Sequence, residues 1–257
     1  LQQVRPFNIY STGHAHSLAV CKALGQGTGF PLNAPLKLLD GGVAAYGFLR
    51  GLLPILKQAQ AEERPWVYAD RGYFRATYGD DYGGYFRLTR NHYQYQGLSA
   101  KRDADRWKRL LMPINPWRRG RHVLVCPPGE VFAQAIGGFS AAEWEKRTLD
   151  VLMASTDRPI RVRRKPKPGV GVPLAHDLQD CHALVTFMSN TAVEALLAGV
   201  PVYCTGKSAA SCMGHSDLTK IEAPLYPDHR QAWAETLASN QWTLAEIRQG
   251  QANGVFE

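Results

Sequence analysis

The chain has no apolar run approaching the roughly 20 residues that cross a bilayer, so the reading contains no spanning helix. Its start lacks the basic-then-apolar pattern of a secretion signal. Because it opens at Leu1, residues upstream are expected to be missing. Cysteine is scarce and odd in number: Cys21, Cys126, Cys181, Cys204 and Cys212, with no C-x-x-C pair. Such scatter argues against a disulfide framework and makes a reducing cytoplasm the expected setting. Cys204, Cys212 and His215 have no fourth partner at finger spacing, so buried thiols are expected and no metal site. A G-x-x-x-x-G-K-[ST] loop and a G-x-S-x-G elbow are both missing, which removes P-loop and nucleophile-elbow chemistry. "GQGTGF" at Gly25–Phe30 has the look of a dinucleotide loop, but it follows a helical pattern where that loop needs a strand. Internal repeats and low-complexity segments are also lacking.

The 257 residues are 45% hydrophobic and 20% charged, an ordinary globular balance long enough for one large or two small domains. Net charge is +8, concentrated in "KRDADRWKRL", "PWRRGRH" and "RPIRVRRKPKP". Two readings are open for this excess. It is either a solvated surface or a patch for a phosphate-rich partner, nucleic acid or nucleotide.

Strand and helix patterns alternate along the chain. "FNIYST" reads as a strand, and "GHAHSLAVCKALGQG" as a helix closing at Gly25. "KLLDGGVAAYGF" and "LRGLLPILKQAQAEE" repeat the pattern, with Pro54 tolerated in a first turn. "RPWVYADRGYF" is a strand ending at Ala69–Asp70, and "GGYFRLTRNHYQY" a strand running into an aromatic, basic loop. "MPINPWRRGRH" reads as a linker. Beyond it come the strand "HVLVCPP", a helix opened by a Ser140/Glu143 capping box, the strand "RPIRVRRKP", the short helix "LAHDLQDC" and two late helices. The expectation is an α/β protein with mainly parallel sheets in two units, 1–116 and 117–257.

"ALVTFMSNTAVEALLAGVPVYCTG", from Ala183 to Gly206, places a small polar break between two apolar runs. A parallel strand ends at its carboxyl edge, and the following helix offers free N–H groups and the positive end of its dipole. Ser189, Asn190 and Thr191 are small, polar caps that let an anion approach. Gly199 then ends the helix and Pro201 prevents its continuation. Glu194 has two readings: it closes a capping box on Thr191, or it accepts hydrogen bonds from ribose hydroxyls.

This stretch resembles the donor-site segment of GT-B glycosyltransferases. The resemblance covers roughly Arg158 to Gly206. It implies two Rossmann-like domains facing a cleft, with Ser189, Asn190 and Thr191 as the phosphate turn and Glu194 as the ribose ligand. "RPIRVRRKPKP" resembles the basic strand end of polysaccharide-type members, which assigns Arg163 or Lys165 to the diphosphate. The histidine those members often carry beside the proline is missing here. The resemblance implies a nucleotide-sugar co-substrate, expected to be a UDP-sugar, and no other cofactor.

"WVYADRGYF" and "YFRLTRNHYQYQG" resemble uncharacterised bacteriophage proteins, some associated with sugar addition to modified DNA bases. That would place the chain in a host cytoplasm. Asp70, at a strand end, is the candidate general base for the acceptor hydroxyl; its plain alternative is a loop-starting Asp bonding local amides. His14 and His16 are either a base or phosphate contacts, or ordinary loop histidines. Gly41 and Gly42 either admit a substrate or make a plain turn. Tyr73 to Tyr95 interleaves aromatics with Arg75, Arg87 and Arg90, beside Arg71, as a base-stacking and phosphate-binding segment would. The alternative is a buried aromatic cluster. The favoured acceptor is accordingly a hydroxymethylated base in DNA. A surface-polysaccharide acceptor is the second reading, and a non-catalytic nucleic-acid-binding protein the third.

Overall fold

The computed structural model describes residues 6–76, 83–95, 97–98, 102–165 and 171–257. The chain is mixed α/β and divides into two compact units, Leu1–Tyr95 with Leu237–Glu257, and Gln96–Thr236. The expected boundary at 116/117 therefore differs in two ways. The proline-rich "MPINPWRRGRH" belongs wholly to the second unit, and the last 21 residues return to the first.

The first unit is built on a six-stranded sheet. Strands β1 (Phe7–Tyr10), β2 (Leu32–Asn33), β3 (Gly42–Tyr46) and β4 (Trp66–Arg71) run parallel in the order β4-β3-β1-β2. β5 (Tyr85–Arg90) lies antiparallel beside β4. Helix α1 (Ala15–Thr28) runs past the Gly25 stop and ends at Gly29, which adopts the left-handed conformation at φ 76°. It continues because Gly25 and Gly27 sit inside a packed face, not at its end. A Cβ at Gly27 would stand 2.1 Å from the carbonyl oxygen of Ile247. α2 (Leu52–Ala61) carries Pro54 in its first turn, as expected.

Among the described residues, the second unit contains α3 (Ala104–Arg109), β6 (His122–Cys126), α4 (Glu130–Phe132) leading into a π-turn, α5 (Ala141–Ser155), β7 (Ile160–Val162), α6 (Leu174–Asp177), β8 (Cys181–Thr186), α7 (Thr191–Leu197) and β9 (Val202–Cys204). Its sheet runs β7-β6-β8-β9, parallel throughout. β6 and β8 are buried along their whole length, which suits apolar strands covered on both faces. The Ser140/Glu143 capping box forms as read.

α8 (Arg230–Ala238) leads the chain back to the first unit, where β10 (Gln241–Thr243) pairs antiparallel with β5 and α9 (Leu244–Arg248) packs on α1. Trp242, Leu244, Ile247 and Phe256 join Phe7, Ile9, Leu24, Val67, Phe86 and Leu88 in one core. The sequence gives β10 only three strand residues, too short a run to read as a strand by alternation. "Mainly parallel" thus holds for the second sheet, while the first carries two antiparallel pairings, β4–β5 and β5–β10, at one side.

Gly41, at φ 104°, approaches its own chain: a Cβ there would stand 2.1 Å from the Pro6 carbonyl oxygen. Gly42 faces the Phe7 ring in the same way. Both glycines serve internal packing. In the second unit Gly199 sits at φ 79° with the Pro116 carbonyl oxygen 2.1 Å from where a Cβ would be. Gly199→Ala combines left-handed strain with a backbone clash and is expected to lower stability by about 2 kcal/mol or more. Denaturant titration would show a lower midpoint at constant slope; an unchanged midpoint would mean that Pro116 simply moves away.

Candidate functional site

All four strands of the second sheet end at one edge. From β6 the chain passes to β7 on one side, then crosses to β8 on the other. At such a switch the connections leave in opposite directions and open a crevice between the two strands. The loop after β6 (Pro127, Pro128, Gly129) and the loop after β8 (Phe187 to Asn190) flank it.

Asn190 is the N-cap of α7 and makes no side-chain cap bond there. Ser189 turns the chain. Its hydroxyl accepts from the Thr191 N–H at 3.2 Å, and its carbonyl from the Ala192 N–H at 3.2 Å. The Thr191 amide, one of those read as phosphate donors, is therefore already bonded within the turn, as is the Ala192 amide next to it. The Thr191 hydroxyl is buried and lacks a hydrogen bond of ordinary geometry.

The capping-box reading of Glu194 is not realised. Because α7 starts at Thr191, Glu194 is the fourth helical residue, and its N–H bonds the Asn190 carbonyl at 3.1 Å. Its carboxylate is free of that duty. The side chain keeps an exposed surface, yet the protein packed around it raises its carboxyl above the usual range by desolvation. The positive charge of Arg163 pulls the other way. Arg163 follows β7 directly. Its Nη1 donates to Asp177 on α6, its Nη2 to the Val172 carbonyl at 2.8 Å, and its backbone N–H to Val125 at 2.8 Å. Burial pushes the thiol of Cys126, at the end of β6, up to about 12. That thiol feels Arg163, Asp177 and Glu194 together. The structure thus brings Ser189, Asn190, Thr191, Glu194 and Arg163 to one edge. Lys165 is exposed two residues beyond Arg163, and the adjoining Pro166, Lys167 and Pro168 lie outside the described residues. Asp177, which pins Arg163, carried no sequence signal: it sits in a short helix with no motif spacing to Arg163.

On the first unit Asp70 pairs across strands with Arg87. Its Oδ2 accepts from Arg87 Nη2 at 2.7 Å and from the Tyr68 hydroxyl at 3.3 Å, and its Oδ1 from the Arg71 N–H at 2.8 Å. Arg71 Nη2 lies 2.6 Å from Nε2 of the buried His16. A guanidinium only donates, so this His16 nitrogen accepts and the ring proton sits on Nδ1. The exposed His14 stacks on His16 with ring centroids 5.9 Å apart. Burial, with the Asp70 charge second, pushes the Tyr46 hydroxyl up to about 12. Arg87 was read as a phosphate contact and Tyr73, Phe74 and Phe86 as stacking faces; the structure buries all four. The bland alternative describes these residues: Phe86 and Arg87 lie on opposite faces of β5, Tyr73 and Phe74 follow β4, and all four are covered by the packing of the unit. Tyr78 and Tyr82 lie outside the described residues.

Some arginines of the other basic clusters also have partners. Arg118 Nε donates to the Ala198 carbonyl at 2.9 Å, and Arg121 pairs with Asp180. The Arg230 guanidinium stacks 3.7 Å over the Trp117 ring. Four cysteines are buried, while Cys212 is exposed.

Among known proteins, no family model matches the chain, and no curated protein matches it. Solved structures do. The chain is similar to Thermosulfurimonas dismutans "KpsC, beta Kdo 2,4 transferase", at TM-score 0.54 and 13% identity, over 91% of each chain. It is also similar to "KpsC, beta Kdo 2,7 transferase" of the same organism, at TM-score 0.51 and 13% identity, over 96% of this chain and 99% of that one. At this identity the likeness is one of fold.

Removing Asp70 would leave the buried Arg87 uncompensated. Asp70→Asn is expected to lower stability by about 2 kcal/mol, a buried-pair loss discounted for the partial exposure of Asp70, seen as a fall in Tm. An unchanged Tm with abolished turnover would instead make Asp70 a base.

Proposed function

We propose that this chain is a glycosyltransferase, moving a sugar from a nucleotide-activated donor to a saccharide acceptor of the surface-polysaccharide class. The observation that supports this is the convergence of a small polar turn, a guanidinium and an uncapped carboxylate at the switch point of a parallel sheet. In this reading the donor's phosphate oxygens lie against the start of α7, beside Asn190 and Thr191. Arg163, oriented by Asp177, and Lys165 offset the charge of the departing nucleotide. Glu194 accepts hydrogen bonds from the ribose hydroxyls. A GT-B pairing of the two units belongs to the same proposal.

The fold neighbours are named as Kdo transferases, which extends the proposal to an acidic sugar on the donor or the acceptor. The polysaccharide reading replaces the DNA reading here. Arg87 and Arg118, two of the arginines that suggested a nucleic-acid partner, are occupied by Asp70 and the Ala198 carbonyl. Asp70 enters as a positioning residue at the end of β4.

The test is incubation with a panel of nucleotide-sugars, uridine- and cytidine-linked, including activated Kdo. Nucleotide release is read with Kdo-terminated saccharide or hydroxymethylated DNA as acceptor. Release with saccharide and none with DNA is expected; the opposite result would restore the DNA acceptor. Glu194→Ala is expected to weaken nucleotide binding about tenfold, the worth of one charged hydrogen bond.

The pH dependence follows from Glu194. Its ionised form accepts the ribose hydroxyls and its folded-state pKa is raised. Nucleotide affinity should therefore fall on acidification before an ordinary carboxylate would protonate. For stability the sign is opposite to that of a salt-bridged carboxylate. A raised carboxyl costs stability once the pH exceeds its unfolded value, with the full cost above its folded value. Glu194→Gln is expected to raise Tm at neutral pH, with the gain vanishing in acid, as thermal melts across pH would show.

A further inference from the structure

A second concavity on the second unit lies beside the candidate nucleotide edge. It is about 400 Å³ in volume, and Phe187, at the head of the β8 loop, and Thr205, just after β9, form part of its wall. Phe139 and Trp144 supply aromatic surface, with Arg147 and Thr219 at other points of the lining. Phe139 meets Phe187 edge to face at 5.0 Å, so the two rings present a face and an edge together. The indole N–H of Trp144 donates to Thr205 Oγ1 at 2.8 Å. That leaves the Thr205 hydroxyl proton available to donate elsewhere. Thr219 donates its hydroxyl to Asp217 at 2.6 Å and keeps lone pairs to accept with.

Arg147 decides the class of ligand. Its guanidinium lies 5.8 Å from the centre of the Phe139 ring, and among the described residues it forms no ion pair. Glu143, one helical turn earlier, is the natural partner by spacing. Its Oε2 is held by the helix cap, accepting from the Ser140 N–H at 2.7 Å and its hydroxyl at 2.9 Å, so that it acts on Arg147 through space and not by a contact ion pair. Asp217, also in the lining, is committed to the Thr219 N–H at 3.1 Å and to its hydroxyl. A cation with no contact ion pair among the described residues lies over an aromatic wall with hydroxyls nearby. Flat apolar surface suits the C–H face of a pyranose, hydroxyls suit its O–H groups, and a planar guanidinium suits a carboxylate.

We infer that this concavity is a subsite for an acidic sugar residue, whose carboxylate is held by Arg147 and whose ring rests on Phe139 and Phe187. The inference rests on the glycosyltransferase reading and adds to it a place for a saccharide unit that does not use the α7 turn.

The probe is free Kdo, with glucose as the neutral comparison, titrated into the full chain and followed by saturation-transfer NMR. Kdo should bind more tightly than glucose. Arg147→Ala should weaken Kdo about fivefold, as for a partly exposed ion pair, and leave glucose unchanged; Arg147→Lys should recover part of the loss. Arg147 is exposed on the outer face of α5, so Tm should not move in either variant. Equal binding of Kdo by the wild type and Arg147→Ala would overturn the subsite. So would failure of the wild type to bind Kdo while nucleotide binding remains sensitive to Glu194→Ala, and in that case the glycosyltransferase reading would stand. Failure of nucleotide binding and transfer in the wild type would overturn the reading on which the subsite rests.

Discussion

Seven residues of helix do not hold themselves together in water. α7 keeps its place because its carbonyl end is tied down by groups from distant parts of the second unit. Arg230 Nη1 donates to Leu196 at 2.8 Å, the Asn115 N–H to Leu197 at 2.8 Å and Arg118 Nε to Ala198 at 2.9 Å. Cations there also oppose the negative end of the helix dipole. Gly199 lets the Pro116 backbone come close enough for these bonds to form. With its far end anchored, α7 directs its start, with Asn190 and Thr191, at the crevice between β6 and β8. Everything attributed to the candidate site depends on that anchoring.

The same bonds account for much of the positive charge. A basic cluster on a single sequence cannot reveal whether its members face outward. "PWRRGRH" looked like a linker with phosphate-binding arginines. In the fold Trp117 stacks under Arg230, Arg118 caps a helix and Arg121 meets Asp180. The aromatic–arginine segment follows the same logic. Arg87 is opposite Asp70 in register, and its cost of burial is offset by that carboxylate and the surrounding hydroxyls. Local composition is alike for a buried ion pair and a nucleic-acid surface, and only the partner across the sheet tells them apart.

At the candidate site the legible part was the alternation itself. An apolar run, a small polar break, a short helix and a glycine locate a strand's carboxyl edge with a helix start beside it. What was not legible was the cap. Thr191 and Glu194 have capping-box spacing, yet the helix begins at Thr191, with Asn190 as cap, and the box does not form. One residue of shift changes whether a carboxylate is spent or free. Ser140 and Glu143 have the same spacing and do form the box. Among the described residues Arg147 makes no contact ion pair, although its own sequence neighbourhood offers it a glutamate.

The sequence by itself determined the α/β alternation, most strands and helices, and the small polar turn at Ser189 to Thr191. Those features come from short-range causes: side-chain periodicity, turn chemistry and the missing Cβ of glycine. Only the tertiary structure decided that the last 21 residues complete the first unit. It alone decided which arginines are spent on internal partners, and that Asp177 orients Arg163 at the edge where Glu194 stands. These depend on groups far apart in the chain, whose meeting is set by strand order and burial and leaves no mark in local spacing.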